Sequence, residues 1–304
     1  MAIADAMNTF GGTGLWDERD GFYYDRLHVG GDTRPMRLRS AVGLIPLIAV
    51  EVLEQPVIDR LPGFRKRLQW FIDNRRDLSG HMAWFERSAS GAAASREGRR
   101  LLAIPSRDRL ERVLRVMLDE HEFLSPHGIR SLSRAYAATP YEFAMDGTSA
   151  RVEYSPDEST TELFGGNSNW RGPVWFPLNY LLIEALERYH YFHGDTFRLE
   201  CPTGSGRWMT LGEVASELTR RLCGLFLPDE RGHRPFAGGD PRFAADPAWR
   251  PLVLFHEYFG GDDGRGLGAS HQTGWTALVT RLLEKSARAR RCDAPLKPAG
   301  ESTL

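Results

Sequence analysis

Residues 167–186 read NSNWRGPVWFPLNYLLIEAL, and this stretch decides the fold class. From Leu178 onward, Leu181, Leu182, Ala185, Leu186 and Tyr189 recur at the three- and four-residue intervals of an amphipathic helix. Ahead of them Gly172 permits a sharp turn, and Pro173 suits a first helical turn, where its missing N–H is no loss. One small cap would satisfy the free N–H groups of such a helix. Here two indoles, Trp170 and Trp175, and the guanidinium of Arg171 crowd its start instead. Such surface can pack in a core, pair with a surface carboxylate or face a ligand.

The same periodicity recurs on either side. Leu61, Phe64, Leu68 and Phe71 form one stripe, and Leu110, Val113, Leu114, Met117 and Leu118 another. Leu211, Val214, Ala215, Leu218, Leu222 and Leu225 follow Thr210, with Glu213 at the capping-box spacing. Trp275, Leu278, Val279, Leu282 and Leu283 predict a last helix. Residues 41–53 are apolar on nearly every side apart from Glu51, which predicts an enclosed helix kinked at Pro46. Hairpin signals lie at residues 22–28, turning at Gly30 and Gly31, and at residues 141–145, turning at Asp146 and Gly147. No βαβ alternation is present. Helix pairs joined by alternately short and elaborate loops fit an all-α toroid, with function on the end bearing the long loops. An irregular helical domain fits the pattern equally. Residues 1–286 are expected to form one domain, with GAAAS (residues 91–95) a flexible insert and residues 287–304 a disordered tail.

With 39 basic against 40 acidic side chains, the chain has no long-range field to gather nucleic acid or an anionic membrane, so neither is expected as a partner. Cys201, Cys223 and Cys292 are odd in number and widely spaced, which argues against a disulfide framework or a zinc site and for reduced thiols. The start, MAIADAMNTF, lacks the pattern of a signal peptide, and the longest apolar run, residues 41–50, falls short of the roughly 20 residues that span a bilayer. A soluble, cytoplasmic protein is expected.

Most of the eight tryptophans fall in or beside loops, among them Trp16 in LWDERDGFYYD (residues 15–25). An indole face can stack on the C–H face of a sugar while neighbouring polar groups bind hydroxyls; core packing is the other common fate. The calcium-loop spacing fails at residues 15–25, and Asp17 is read as a sugar ligand. In LFHEYFGGDDGRGLGASHQTGW (residues 254–275), Glu257 stands among Phe255, Tyr258 and Phe259. A carboxylate so placed can deprotonate water if donors keep it ionised, or can simply salt-bridge on an exposed edge. HEYFG departs from the zinc motif H-E-x-x-H at Gly260, and no lysine follows the glycines as in a phosphate loop. No metal or cofactor is expected.

Taken together, LWDERDGFYYD, VGLIPL, FLSPHGIRSLS, GGNSNWRGPVWFPLNYLLIEAL, CPTGSGR and FHEYFGGDDGRGLGASHQTGWT resemble the bacterial branch of glycoside hydrolase family 63, with its mannosyl-oligosaccharide glucosidase-like and mannosylglycerate hydrolase-like enzymes. The resemblance spans residues 4–283. It implies an (α/α)6 barrel of the six-hairpin glycosidase kind and inverting hydrolysis of an α-linked oligosaccharide or small glycoside. Glu257 falls on the general base of the family's F-x-E-Y motif, and Trp170, Arg171 and Trp175 fall on the sugar pocket. The GIRSLS and SHQTGW loops add Arg130, Ser131, His271 and Gln272. The family's general acid is an aspartate in a part of the barrel that would precede Met1. About seven helices are legible, whereas six pairs require twelve. The chain is therefore expected to be the C-terminal portion of a longer catalytic domain, inactive without the acid; a carbohydrate-binding or scaffold fragment is the alternative.

Overall fold

The stripe from Phe176 to Phe192 buries one side of an 18-residue helix. The computed structural model describes residues 2–9, 12, 14–75, 98–145, 147–158 and 170–293. Among these residues the α-helices are α1 (Ala2–Thr9), α2 (Gln55–Arg60), α3 (Pro62–Asn74), α4 (Arg107–Met117), α5 (Phe176–His193), α6 (Leu211–Gly224), α7 (Arg242–Ala245) and α8 (Val279–Asp293). Every sheet among the described residues is a two-stranded antiparallel pair, most of them hairpins. The architecture is thus helical, with small β-hairpins in its connections.

α5 starts where Trp175 leaves an extended backbone, with Pro177 in the first turn, and stops at Gly194, whose φ of 60° is left-handed. Its buried side packs on α6, and α6 packs on α8. α6 begins with the predicted capping box: the Glu213 N–H donates to Thr210 Oγ1 at 3.2 Å, and the Thr210 N–H donates to Glu213 Oε2 at 2.7 Å. α4 sinks Leu110, Val113, Leu114 and Met117 against the strand Phe22–Tyr23 and the turn over Ala41–Leu47. Packing of these stripes fixes the helices, since isolated helices of this length are marginal in water.

Several expectations change in detail. Residues 41–53 are a 3-10 segment, Ala41–Leu47, followed by the strand Val50–Glu54 paired with Arg99–Ala103. Pro46 cannot donate to an α-helical ladder, and Val50 and Val52 suit an extended chain. The segment is also not enclosed, because Val42 and Ile45 stay about half exposed. Phe22 belongs to a hairpin with Trp16–Asp17; the turn at Gly30 and Gly31 joins Asp25–Val29 to Asp32–Met36. Tyr141–Met145 pairs with Thr148–Val152 as the spacing predicts. In α3 only Leu68 of the expected stripe is buried, while Leu61 and Phe64 are exposed. α8 continues to Asp293, beyond the expected start of the tail at Ala287. GAAAS and residues 294–304 lie outside the described residues.

Candidate functional site

Three loops from distant parts of the sequence are laced together at the N-terminal end of α5. Val174 is the middle strand: it bridges Arg130 on one side and Phe259 on the other. The Val174 N–H donates to Phe259 O at 2.8 Å, the Phe259 N–H returns to Val174 O at 3.0 Å, and the Ser131 N–H donates to Pro173 O. Pro173 therefore lies in an extended bridge rather than in the first helical turn, a place taken by Pro177. The three blocks GIRSLS, WRGPVW and FHEYFG are neighbours in space.

The junction leaves no room for a side chain at Gly172. Its φ is 154°, and a Cβ there would lie 2.4 Å from Ser155 O and 2.5 Å from the Tyr154 ring. Its N–H donates to Ser131 Oγ at 3.1 Å, which gives that buried hydroxyl a structural task. Arg130 is also committed: its buried guanidinium donates to Tyr154 Oη at 2.9 Å, to Leu124 O and to Asp262 Oδ1 at 3.0 Å. Tyr154 Oη donates in turn to Asp262 Oδ1 at 2.9 Å. Burial pushes the Tyr154 hydroxyl up, so it stays a donor. Arg171 is 2% exposed; burial pulls its guanidinium below the usual value, with the charge of Glu153 opposing.

Aromatic rings cover this junction. Trp170 and Trp175 are parallel with centroids 4.4 Å apart, Tyr258 stacks on Trp175 at 4.9 Å, and Trp275 meets Trp175 edge-on at 5.9 Å. Trp175 is buried, whereas Trp170 is half-buried and borders a cavity of about 300 Å³ lined by Ser40, Ala41, Val42, Ile45, Ser131 and Leu178.

Glu257 lies at the edge of the same group. Its N–H donates to Leu267 O at 3.2 Å, and its carboxylate Oε2 accepts the Ala269 N–H at 3.3 Å. A Cβ built at Gly268 would sit 2.7 Å from Tyr258 Cε1 and 2.8 Å from Glu257 Oε2, so ring edge and carboxylate flank one glycine. His271 bridges Phe255, and the Gln272 N–H donates to Phe255 O at 2.8 Å, which ties the SHQTGW loop beside Glu257. His271 is exposed and Gln272 half-buried.

Trp16 and Asp17 are placed differently. Trp16 is 1% exposed, edge-on to Tyr23, with the Arg109 and Arg112 guanidinium groups over its ring. Its indole face is covered by protein. Asp17 accepts the N–H groups of Arg19 and Asp20 and pairs with Arg37 at 2.9 Å. Burial alone would raise its carboxyl, but the Asp20 N–H, Arg37 and the Arg19 N–H outweigh this and hold it below the ordinary value. Asp17 borders a separate cavity of about 340 Å³ with Leu15, Tyr24 and Pro35.

Asn179, Tyr154 and Gly268 hold this site together although none was expected there. Asn179 had a signal: a polar residue on the apolar side of a helix. It is fully buried and fastens the strand at Ile129 to the start of α5. A larger cleft, about 590 Å³, lies further along α5 between Glu184, Tyr191, Val57 and Phe64. The tryptophan cluster does not line that cleft, which is separate from the junction around Val174. Among the described residues no helix is long and apolar enough to cross a membrane.

Residues 99–276 match the family model for the mannosylglycerate hydrolase MGH1-like glycoside hydrolase domain. The uncharacterized protein YMR196W of Saccharomyces cerevisiae is 47% identical over 272 residues, which is 88% of this chain and 24% of that protein. Mannosyl-oligosaccharide glucosidase of the same yeast is 24% identical over 58% of this chain and 15% of its own length. A probable mannosyl-oligosaccharide glucosidase of Schizosaccharomyces pombe is 24% identical over 59% of this chain and 16% of its own length. The chain therefore spans a quarter or less of the curated relatives it matches. Among solved structures, the GH63 mannosylglycerate hydrolase of Thermus thermophilus in complex with glucose aligns over 89% of this chain and 36% of its own, at 13% identity and a TM-score of 0.34.

Proposed function

Because the chain belongs to the mannosylglycerate hydrolase MGH1-like glycoside hydrolase family, we propose that it carries the general-base half of a site that hydrolyses α-glycosides with inversion, within an (α/α)6 toroid of which it is one part. The observation that carries this reading is the position of Glu257, whose carboxylate flanks Gly268 together with the ring edge of Tyr258, itself stacked on Trp175. Trp170 and Tyr258 both stack on Trp175, and Glu257 stands beside Tyr258 in that group of rings. The names of the matched mannosyl-oligosaccharide glucosidases favour a glucose carried on an oligosaccharide.

In this mechanism water attacks the anomeric carbon from the face opposite the leaving oxygen, and Glu257 takes its proton. The bond to the leaving oxygen breaks with its electron pair, and a second carboxyl group protonates that oxygen. Inversion needs the two groups roughly 6.5–9.5 Å apart, with the water between them. We assign the second group to sequence outside this chain. Arg130 and Ser131 act by holding the loops, through Asp262 and Gly172 respectively. Cys201 and Cys223 are buried as thiols, which fits a cytoplasmic protein.

A substrate whose leaving group needs no proton tests the base half in the chain as it stands. α-D-Glucopyranosyl fluoride loses fluoride with the bonding pair when water attacks, so only the base is required. Fluoride release with β-glucose as first product, abolished by Glu257→Gln, is the expected result. Release at an equal rate by Glu257→Gln would remove Glu257 from the reaction.

A further inference from the structure

We propose that Gly268 is a positioning residue for Glu257: its left-handed backbone and missing side chain deliver the Ala269 N–H to Oε2 and leave the carboxylate one fixed orientation. This rests on Glu257 being the general base.

The geometry around Gly268 is closed on two sides. Its φ is +65°, a conformation that L side chains rarely adopt, and an ideal Cβ would lie 2.7 Å from Tyr258 Cε1, 2.8 Å from Glu257 Oε2 and 3.0 Å from Glu257 Cβ. All three distances are at or below the limit at which something must shift. Gly268 follows the strand Gly266–Leu267, which pairs with Tyr258–Phe259. The Leu267 carbonyl accepts the Glu257 N–H from that strand, so backbone and side chain of Glu257 are held by successive parts of one segment. Gly266 is tight as well, since a Cβ there would lie 2.2 Å from the His256 ring.

A base must lie within hydrogen-bond reach of the proton it removes. With Oε2 engaged by the Ala269 N–H, Oε1 is the oxygen left to face water. A side chain at residue 268 would push the carboxylate away from that amide and from the Tyr258 edge. Displacement of about 1 Å can cost roughly 10²-fold in rate, and little in binding when the sugar is held mainly by aromatic surface.

The test combines an amide signal with the fluoride assay. In ¹⁵N-alanine-labelled chain, the Ala269 N–H shift is expected to follow Glu257 ionisation across a pH titration and to stay flat in Glu257→Gln. In Gly268→Ala and Gly268→Asn that coupling is expected to vanish, with kcat for fluoride release down roughly 10²-fold and KM within about twofold. Asparagine tolerates left-handed backbone, so the second variant isolates the effect of the Cβ from backbone strain. An Ala269 amide indifferent to Glu257→Gln, or a Gly268 variant that turns over at the parental kcat, overturns the proposal. The amide arm needs no turnover and so decides the contact even without fluoride release. If Glu257→Gln stays fully active while the amide still tracks Glu257 in the parent, the assignment of the base fails and the catalytic purpose of the contact fails with it.

Discussion

Asn179 and Ile129 are joined by a pair of hydrogen bonds: the Ile129 N–H donates to Asn179 Oδ1 at 2.6 Å, and Asn179 Nδ2 donates to Ile129 O at 3.0 Å. Nδ2 also donates to Trp175 O at 3.0 Å. One amide thus does for the strand at Ile129 what a partner strand would do, and it does so from the buried side of α5. Asn179→Leu removes these partners while leaving backbone groups without water. The expected cost is roughly 2–4 kcal/mol, since each unsatisfied buried group costs about 1–3 kcal/mol. Urea unfolding of parent and variant measures it, and a loss below about 1 kcal/mol would show that the junction holds without Asn179.

Gly172→Ala should damage the same junction from the other side. The new methyl would meet Ser155 O and the Tyr154 ring, so the loop must move. We expect a loss of about 1–3 kcal/mol, the usual range for overpacking. A shifted tryptophan emission should accompany it, because Trp170 and Trp175 flank the site. A variant with parental stability and emission contradicts the close approach.

Trp170→Ala tests the aromatic wall. Trp170 is the half-buried member of the stack, and its removal leaves Trp175 in place. Loss of one ring's stacking, about 0.5–1.5 kcal/mol, should weaken binding of an α-glucoside roughly 2- to 10-fold. Fluorescence titration reads the affinity, and unchanged affinity would move the sugar away from this indole.

Acid sensitivity should trace in part to His193. Burial first, and then the like charge of Arg107, push its imidazole down to about 4. The unfolded chain, with an ordinary value near 6.5, takes up the proton first, so the contribution is full above about pH 6.5 and lost as pH falls toward 4. The loss is on the order of 3 kcal/mol. In His193→Phe, surrounded by Tyr189, Phe192 and Phe197, the fall in stability between pH 7 and pH 4 should be smaller by about this amount. Equal falls in both proteins would acquit His193.

Removing the cap of α6 should be mild and independent of the site. Thr210→Ala is expected to cost about 1 kcal/mol in urea unfolding.

The helices were legible because their signals are local: the stripes of α4, α5 and α6 and the Thr210–Glu213 box need only the 3.6-residue repeat and adjacent hydrogen bonds. Residues 41–53 misled because a continuous apolar run does not distinguish an enclosed helix from a turn followed by a strand; pairing with Arg99–Ala103 decides between them. Trp16 shows the same limit, since an indole beside polar residues reads alike whether a sugar or Tyr23 lies against it.

What the sequence determined by itself is the apolar stripes of α4, α5 and α6 and the cap that starts α6. Only the tertiary structure brought Arg130, Val174 and Phe259 into one bridge, put Tyr258 on Trp175 and set Gly268 between that tyrosine and Glu257. Periodicity and caps act over a few residues, whereas the bridge of Arg130, Val174 and Phe259 joins segments far apart in the chain and Gly268 meets Glu257 only across a hairpin; the energy that selects these contacts is the burial and backbone pairing of the whole junction.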